Sequence, residues 1–227
     1  MNYLHRHLCS SAHWRRTVEQ RLEWILSGAE LGEYALEVGP GPGITSDFLR
    51  LRVQRLTAIE ADARMAESLR LRLSGSNVEV VTGDAAGMPF PDATFSGCAA
   101  FTMLHHVPSP ALQNAVLREI RRVLRPGSEL VGCDSLPSAF MRMLHIRDTF
   151  VPVDPDTLPA RLAAVGFEGI RVERRSGFFR FHAQCPRESA DSSPWETNSA
   201  TTMNRSIFWT GTPHDAGSER GGNRNEE

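Results

Sequence analysis

The stretch Ala35-Leu36-Glu37-Val38-Gly39-Pro40-Gly41-Pro42-Gly43-Ile44 decides the reading of this chain. Apolar residues on both sides of Glu37 suit a buried strand, the glycine–proline alternation suits a tight turn, and Ile44 opens a helix. Glycine has no Cβ, reaches φ > 0 without strain and lets a ligand lie against bare backbone. Pro40 and Pro42 lack an N–H. The donors left for a ligand are then the glycine amides and the first amides of the following helix. A turn of this kind stands at the carboxyl end of a strand, where open α/β sheets bind their ligands.

The same alternation continues outward. Residues 55–60 read as a second strand ending in Glu60, and Asp62 is placed to cap a helix that runs to about Leu73. Residues 78–81 form a third strand, followed by Gly83-Asp84. A loop with Gly87, Pro89 and Pro91 leads to a fourth strand over 95–102. A helix over Ala111–Leu124 stops at Arg125-Pro126-Gly127, and residues 129–133 are a fifth strand. Residues 156–165 form one more helix, and strands 169–175 and 178–183 reverse at Ser176-Gly177. The fold class is therefore α/β: a doubly wound, mostly parallel seven-stranded sheet that ends in an antiparallel hairpin.

This pattern divides the chain into an N-terminal helical cap (1–33), an α/β domain (34–186) and a tail (187–227). The tail is rich in Ser, Asn, Thr, Gly, Glu and Arg, shows no periodicity and reads as disordered. In the cap, Trp14, Val18, Leu22, Ile25 and Leu26 recur at helical spacing. The cap either packs on the sheet or covers a ligand, with Trp14 or Trp24 lining the pocket.

The 227 residues are 41% hydrophobic and 23% charged, with a formal net charge of -2. That balance gives no global reason to expect nucleic acid or an anionic membrane as partner. Cys9, Cys98, Cys133 and Cys185 form no C-x-x-C pair and read as buried thiols in a reducing compartment. The first residues lack the apolar run of a signal peptide, and no segment approaches the ~18 apolar residues of a membrane span, so a cytoplasmic location is expected.

Two acids narrow the ligand. A carboxylate at Glu60 can accept from both hydroxyls of a ribose. Asp84 can accept from an exocyclic amine such as that of adenine. Together with the glycine turn they suggest an adenosine-containing ligand. Ile44 stands where a dinucleotide fingerprint has its third glycine, and the Glu37 carboxylate would repel a pyrophosphate while suiting an ammonium group. The combination points away from NAD or FAD and towards S-adenosylmethionine.

In these blocks the chain resembles the class I S-adenosylmethionine-dependent methyltransferases. It is similar to the small-molecule branch that includes the quinone-biosynthesis C-methyltransferases. The resemblance rests on Leu36–Gly43, on Thr57–Asp62, on Val81–Ala85 with Met88–Asp92, and on Leu117–Gly127, in that order. It implies a Rossmann-like methyltransferase fold in which the backbone at Gly39, Gly41 and Gly43 faces the methionine part of the cofactor and Glu37 acts on its amino group. It further implies that Glu60 holds the ribose, Ala61 flanks the adenine, Asp84 takes the adenine amine beside Ala85, and Phe101 lies by the sulfonium and methyl. Ser96-Gly97 departs from the Asp usual there, and Ser128 replaces a common second glycine.

The implied reaction is an in-line displacement in a closed site. His105 and His106, after the fourth strand, are the candidate catalytic bases. Adjacent histidines with no supporting acid nearby argue against a metal. Met103, Phe140, His145 and Asp148 are candidate substrate contacts. Residues 101–104 lack the Asn/Asp-Pro-Pro-Tyr/Phe motif of nucleic-acid amine methylation. The expected partner is thus a small, moderately apolar acceptor, with no nucleic acid and no membrane. A non-catalytic cofactor-binding or interaction protein of the same fold is the alternative.

Overall fold

Residues Tyr34–Val38 form β1, an interior strand of a seven-stranded sheet in the computed structural model, which describes residues 12–187 and side chains from residue 16 onward. Chain order gives α1 (Ala12–Ile25), β1, α2 (Ile44–Leu49), β2 (Arg55–Glu60), α3 (Ala63–Arg72), β3 (Val78–Thr82) and β4 (Phe95–Phe101). A single 3-10 turn follows at Leu104–His106, then α4 (Pro110–Val123), β5 (Leu124–Ser135), α5 (Ala139–Leu144), α6 (Leu158–Ala164), β6 (Glu168–Arg175) and β7 (Phe178–Gln184). The expected positions in the tail beyond residue 187, together with Cys9 and the Trp14 side chain, lie outside the described residues.

The strand order is β3-β2-β1-β4-β5-β7-β6. Strands β1 to β5 pair in parallel, and β7 runs antiparallel to both β5 and β6. The expected mixed sheet with a terminal hairpin is thus observed. Helices cover both faces because alternate residues of the central strands are apolar in both directions. Leu36, Val38, Cys98, Ala100 and Leu130 join one core with Val116, Leu117 and Ile120 of α4. Ala35, Ala99, Phe101 and Val131 join the opposite core with Leu22 and Ile25 of α1 and Leu49 of α2.

Local signals set most boundaries. The Asp62 carboxylate accepts from the amides of Arg64 and Met65 at 2.9 and 3.1 Å, the bonds expected of its cap position. The Ser109 hydroxyl does the same for α4. One boundary differs from the sequence expectation. β5 begins at Leu124, ahead of Pro126-Gly127, because Phe95 already pairs with Leu124 and the register slips before Gly97 meets Glu129. Strand pairing extends through the proline–glycine pair there and ends α4 earlier than its periodicity suggests.

The unusual Ser96-Gly97 pair has a structural account. The Ser96 hydroxyl accepts from the Tyr34 amide at 2.9 Å and lies 3.0 Å from the carbonyls of Leu31 and Tyr34. A Cβ at Gly97 would stand 2.5 Å from the Cα and carbonyl oxygen of Leu31. The pair therefore lets the entry into β1 lie directly on β4. We predict that Gly97→Ala lowers stability in urea by about 1–3 kcal/mol, because the obstructing atoms are backbone and cannot rotate away. An unchanged unfolding midpoint would contradict this close approach.

Candidate active site

The carboxyl ends of β1, β2, β3 and β4 open on one cavity of about 540 Å³. Gly39, Gly41, Glu60, Ala61, Asp84, Ala85 and Phe101 line it, and so do Met103, His105, His106, Phe140 and Asp148. Three of the expected site residues, Glu37, Gly43 and His145, lie behind this surface rather than on it.

The turn is bonded differently from the sequence expectation. The Gly39 amide donates to the Ile59 carbonyl at 2.9 Å, and the Gly43 amide donates to the Pro40 carbonyl at 2.9 Å. The Gly41 amide donates to the Glu60 carboxylate at 3.0 Å. All three glycine donors are thus used within the protein, and the expectation that they serve a ligand is corrected. What the glycines supply is shape. At Gly39, with φ of 68°, an added Cβ would stand 2.8 Å from the Met103 Cβ, so glycine lets the loops after β1 and β4 touch. Gly43 caps α2 instead, and its carbonyl accepts from the Arg72 guanidinium.

Glu60 is 8% exposed and accepts one amide on each oxygen, from Gly41 and from Asp62, both at 3.0 Å. A carboxylate has about four acceptor positions, so both oxygens keep capacity for hydroxyl donors from the cavity. Asp84 is exposed, and one of its oxygens accepts from the Ala86 amide at 2.8 Å. The loop behind it is braced by Glu119, which takes the Met88 amide, and by Arg122, which donates to the carbonyls of Met88 and Phe90.

Glu37 is 1% exposed. It accepts from the hydroxyls of Thr45 and Ser46, so it pins the first turn of α2 to β1. Thr45 lines the cavity and Glu37 does not, so Glu37 stands one side chain behind the cavity wall. Burial pushes the Glu37 carboxyl up to about 7, against the partial relief of its two hydroxyl donors.

The cap contributes Val18, Arg21, Leu22 and Ile25 to the cavity wall. Trp24 stands elsewhere: it packs edge-on against Phe178 and beneath the guanidinium groups of Arg175 and Arg180. The thiols of Cys98, Cys133 and Cys185 are buried, and burial raises all three.

The other end of the cavity is built by the segment after β4. Thr102 adopts φ of 50°, a strained value for a β-branched residue, and its amide donates to the Cys133 carbonyl at 2.8 Å. This kink directs Met103 onto Gly39 and starts the turn that carries both histidines. His105 is 2% exposed, and its Nδ1 is hydrogen-bonded to Asp134, a wholly buried carboxylate at the end of β5. Asp134 also accepts the backbone amides of His105 and Ser135. A carboxylate only accepts, so the hydrogen bond to His105 comes from an N–H at Nδ1. Buried Gln113 donates to the carbonyls of Leu104 and Val151, and the Val151 amide donates to the His105 carbonyl at 2.8 Å. These bonds draw the segment after α5 against the turn, so the His145 ring lies 5.1 Å from those of both His105 and His106. Asp134 and Gln113 escaped the sequence reading. The statement that no acid supports the histidines is corrected by Asp134.

Comparison with known proteins agrees with the fold and the turn. Residues 36–132 match a family described as "Methyltransferase domain". The "Probable ribosomal RNA small subunit methyltransferase A" of Thermococcus onnurineus is 40% identical over 77 residues, covering 33% of this chain and 28% of that protein. The "Ribosomal RNA small subunit methyltransferase A" of Deinococcus radiodurans is 28% identical over 173 residues, covering 68% of this chain and 59% of that protein. A solved "SAM dependent methyltransferase" from Aquifex aeolicus superposes with a TM-score of 0.56 at 23% identity, over 75% of this chain and 97% of that one. Residues 36–132 thus match a methyltransferase domain, and the solved structure shares the fold of this chain. The matched stretches span little more than a quarter of the first relative and under two thirds of the second. The relatives' names overturn one expectation: nucleic acid is not excluded as a partner on the strength of net charge and a missing motif. No helix among the described residues is long and apolar enough to cross a membrane.

Glu37 generates a pH prediction. Its folded-state value near 7 lies above the ordinary 4.5, so its stabilising contribution is complete below the lower value and is lost as pH rises through the upper one. Wild type should lose about 3 kcal/mol relative to Glu37→Gln between pH 4.5 and pH 8, read from urea unfolding. Stability curves that stay parallel across that range would remove the buried, protonated carboxyl.

Proposed function

We propose that this protein transfers the methyl group of S-adenosylmethionine to an acceptor whose reacting portion is small and moderately apolar. The observation that carries the reading is one cavity that joins two kinds of wall. One wall is the glycine turn with Glu60 and Asp84; the other is Met103, Leu112, Phe140 and the paired histidines. On this reading Glu60 holds the ribose hydroxyls with its remaining acceptor positions, and Asp84 takes the adenine amine. Ala61 and Ala85 flank the base, and Phe101 closes the site beside the sulfonium. Glu37 acts at one remove, by fixing Thr45 and the start of α2.

Methyl transfer from sulfur asks for little covalent work from the protein. Holding nucleophile, methyl and sulfur in line about 3 Å apart accounts for much of the rate. Val18, Leu22 and Ile25 of α1 give the cavity an apolar stretch of wall, which strengthens the polar groups inside it. Where the acceptor must lose a proton, the imidazole cluster is the group that faces it, and His105 and His106 are its members on the cavity wall.

A second reading is favoured by the names of the sequence relatives: the acceptor moiety is a base of ribosomal RNA that enters the same cavity. Methyl-labelled cofactor separates the two. Label in members of a panel of small hydroxylated aromatic compounds supports the first reading, and label in small-subunit ribosomal RNA supports the second. Label in neither, from protein that binds the cofactor, would overturn methyl transfer in favour of a non-catalytic cofactor-binding protein. Glu60→Ala is expected to weaken cofactor binding by roughly 10- to 100-fold in calorimetry, because it orphans two turn amides as well as the ribose hydroxyls; this is about 1–3 kcal/mol. Unchanged affinity would take Glu60 out of the site.

A further inference from the structure

We propose that His105, His106 and His145 form a binding site for a divalent transition-metal ion of the zinc type, at the acceptor end of the cavity. One ring nitrogen from each residue can be chosen so that all three lie within 4.8 Å of one another. The ring centroids of His105 and His106 are 4.2 Å apart, and each stands 5.1 Å from that of His145. Three imidazole nitrogens on a tetrahedral zinc lie about 3.3 Å apart, so side-chain shifts of roughly 1 Å would close the set.

The outer partners of two of these rings are those of metal ligands. His105 donates its Nδ1–H to Asp134, and its buried Nε2 has no hydrogen-bond partner among the described residues. A histidine that hands its other N–H to a carboxylate or a carbonyl is the usual arrangement around a bound metal. His145 repeats the device: its Nδ1 lies 2.8 Å from the Met141 carbonyl, which only accepts, so Nε2 carries the lone pair. Phe150 stacks on the His145 ring with centroids 4.6 Å apart and fixes its orientation. Imidazole donors without thiolate or a carboxylate cage suit zinc, and nickel or copper to a degree, rather than magnesium or calcium.

Three protein ligands leave the fourth position open, the pattern of a catalytic rather than a structural site. His105 and His106 line the cavity, so that position faces the acceptor. The existence of the site is independent of methyl transfer; its use rests on the function proposed above. A cation there would hold an acceptor hydroxyl and lower its pKa. The hydroxyl proton passes to water, and the oxygen lone pair forms the bond to the methyl carbon. The carbon–sulfur electron pair leaves with sulfur as a neutral thioether.

The test is titration of chelator-treated, full-length protein with Zn²⁺ by calorimetry and with Co²⁺ by visible absorption. Wild type should take up one tight equivalent and give the intense cobalt bands of a tetrahedral site. His105→Ala and His145→Gln should each weaken that equivalent by roughly 100-fold, and Asp134→Asn by roughly 10- to 100-fold with a shifted cobalt spectrum. Titration of the same variants with S-adenosylmethionine reports whether each is folded, and it separates loss of the metal from failure of the cofactor reading. Absence of a tight zinc equivalent in wild type would overturn the proposal. So would wild-type zinc affinity in both histidine variants, which would assign the binding to histidines elsewhere in the chain.

Discussion

The Glu60 carboxylate is the tie on which the glycine-turn side of the cavity depends. It stands at the end of β2 and holds the amide of Gly41, in the turn after β1, and the amide of Asp62, at the start of α3. Two loops that would otherwise move separately are thereby fixed to one buried group. The β1–β2 register, with Val38 opposite Ile59, brings the loops close enough for this. Glu37 repeats the device one strand away, tying α2 to β1 through Thr45 and Ser46. The glycine turn is therefore preorganised by acids behind and beside it, and it meets a ligand as a fixed surface rather than as a set of loose donors.

The sheet topology separates the two halves of the site. The strand order steps outward from β1 to β2 and β3 on one side and from β4 to β5 on the other. Ligands of open α/β sheets bind where the order reverses in this way. The ends of β1, β2 and β3 carry Gly39, Glu60 and Asp84; the ends of β4 and β5 carry the histidine turn and Asp134. Gly39 and Met103 meet across the switch point, at a distance that only glycine permits. The strained Thr102 belongs to the same junction. Its cost is borne where the chain must leave β4 sharply enough to present His105 to Asp134.

The sequence made the fold and the strand-end acids that line the cavity legible because their signals are local. A strand, a glycine turn, a capping Asp62 and strand-end acids each occupy a few consecutive residues. What was misread depends on pairing at a distance. Nothing near Gly41 says that its amide is taken by Glu60, and nothing near Glu37 says that α2 will offer it two hydroxyls. The histidine end of the cavity was hidden more deeply. His105 and Asp134 are 29 residues apart and meet because β4 and β5 are neighbours. His145 joins them through bonds made by Gln113 and Val151, neither of which carries a motif. A histidine pair read without those partners looks like a loop feature; with them it becomes a buried, oriented cluster.

On the function proposed above, the cavity bounded by the glycine turn, Glu60 and Asp84 is built for S-adenosylmethionine. Calorimetric titration of the wild-type protein with that cofactor, beside NADH as a ligand of the rival class, tests it most directly. Saturable one-site heat is expected with S-adenosylmethionine and none with NADH. Heat with NADH alone, or with neither, would contradict it.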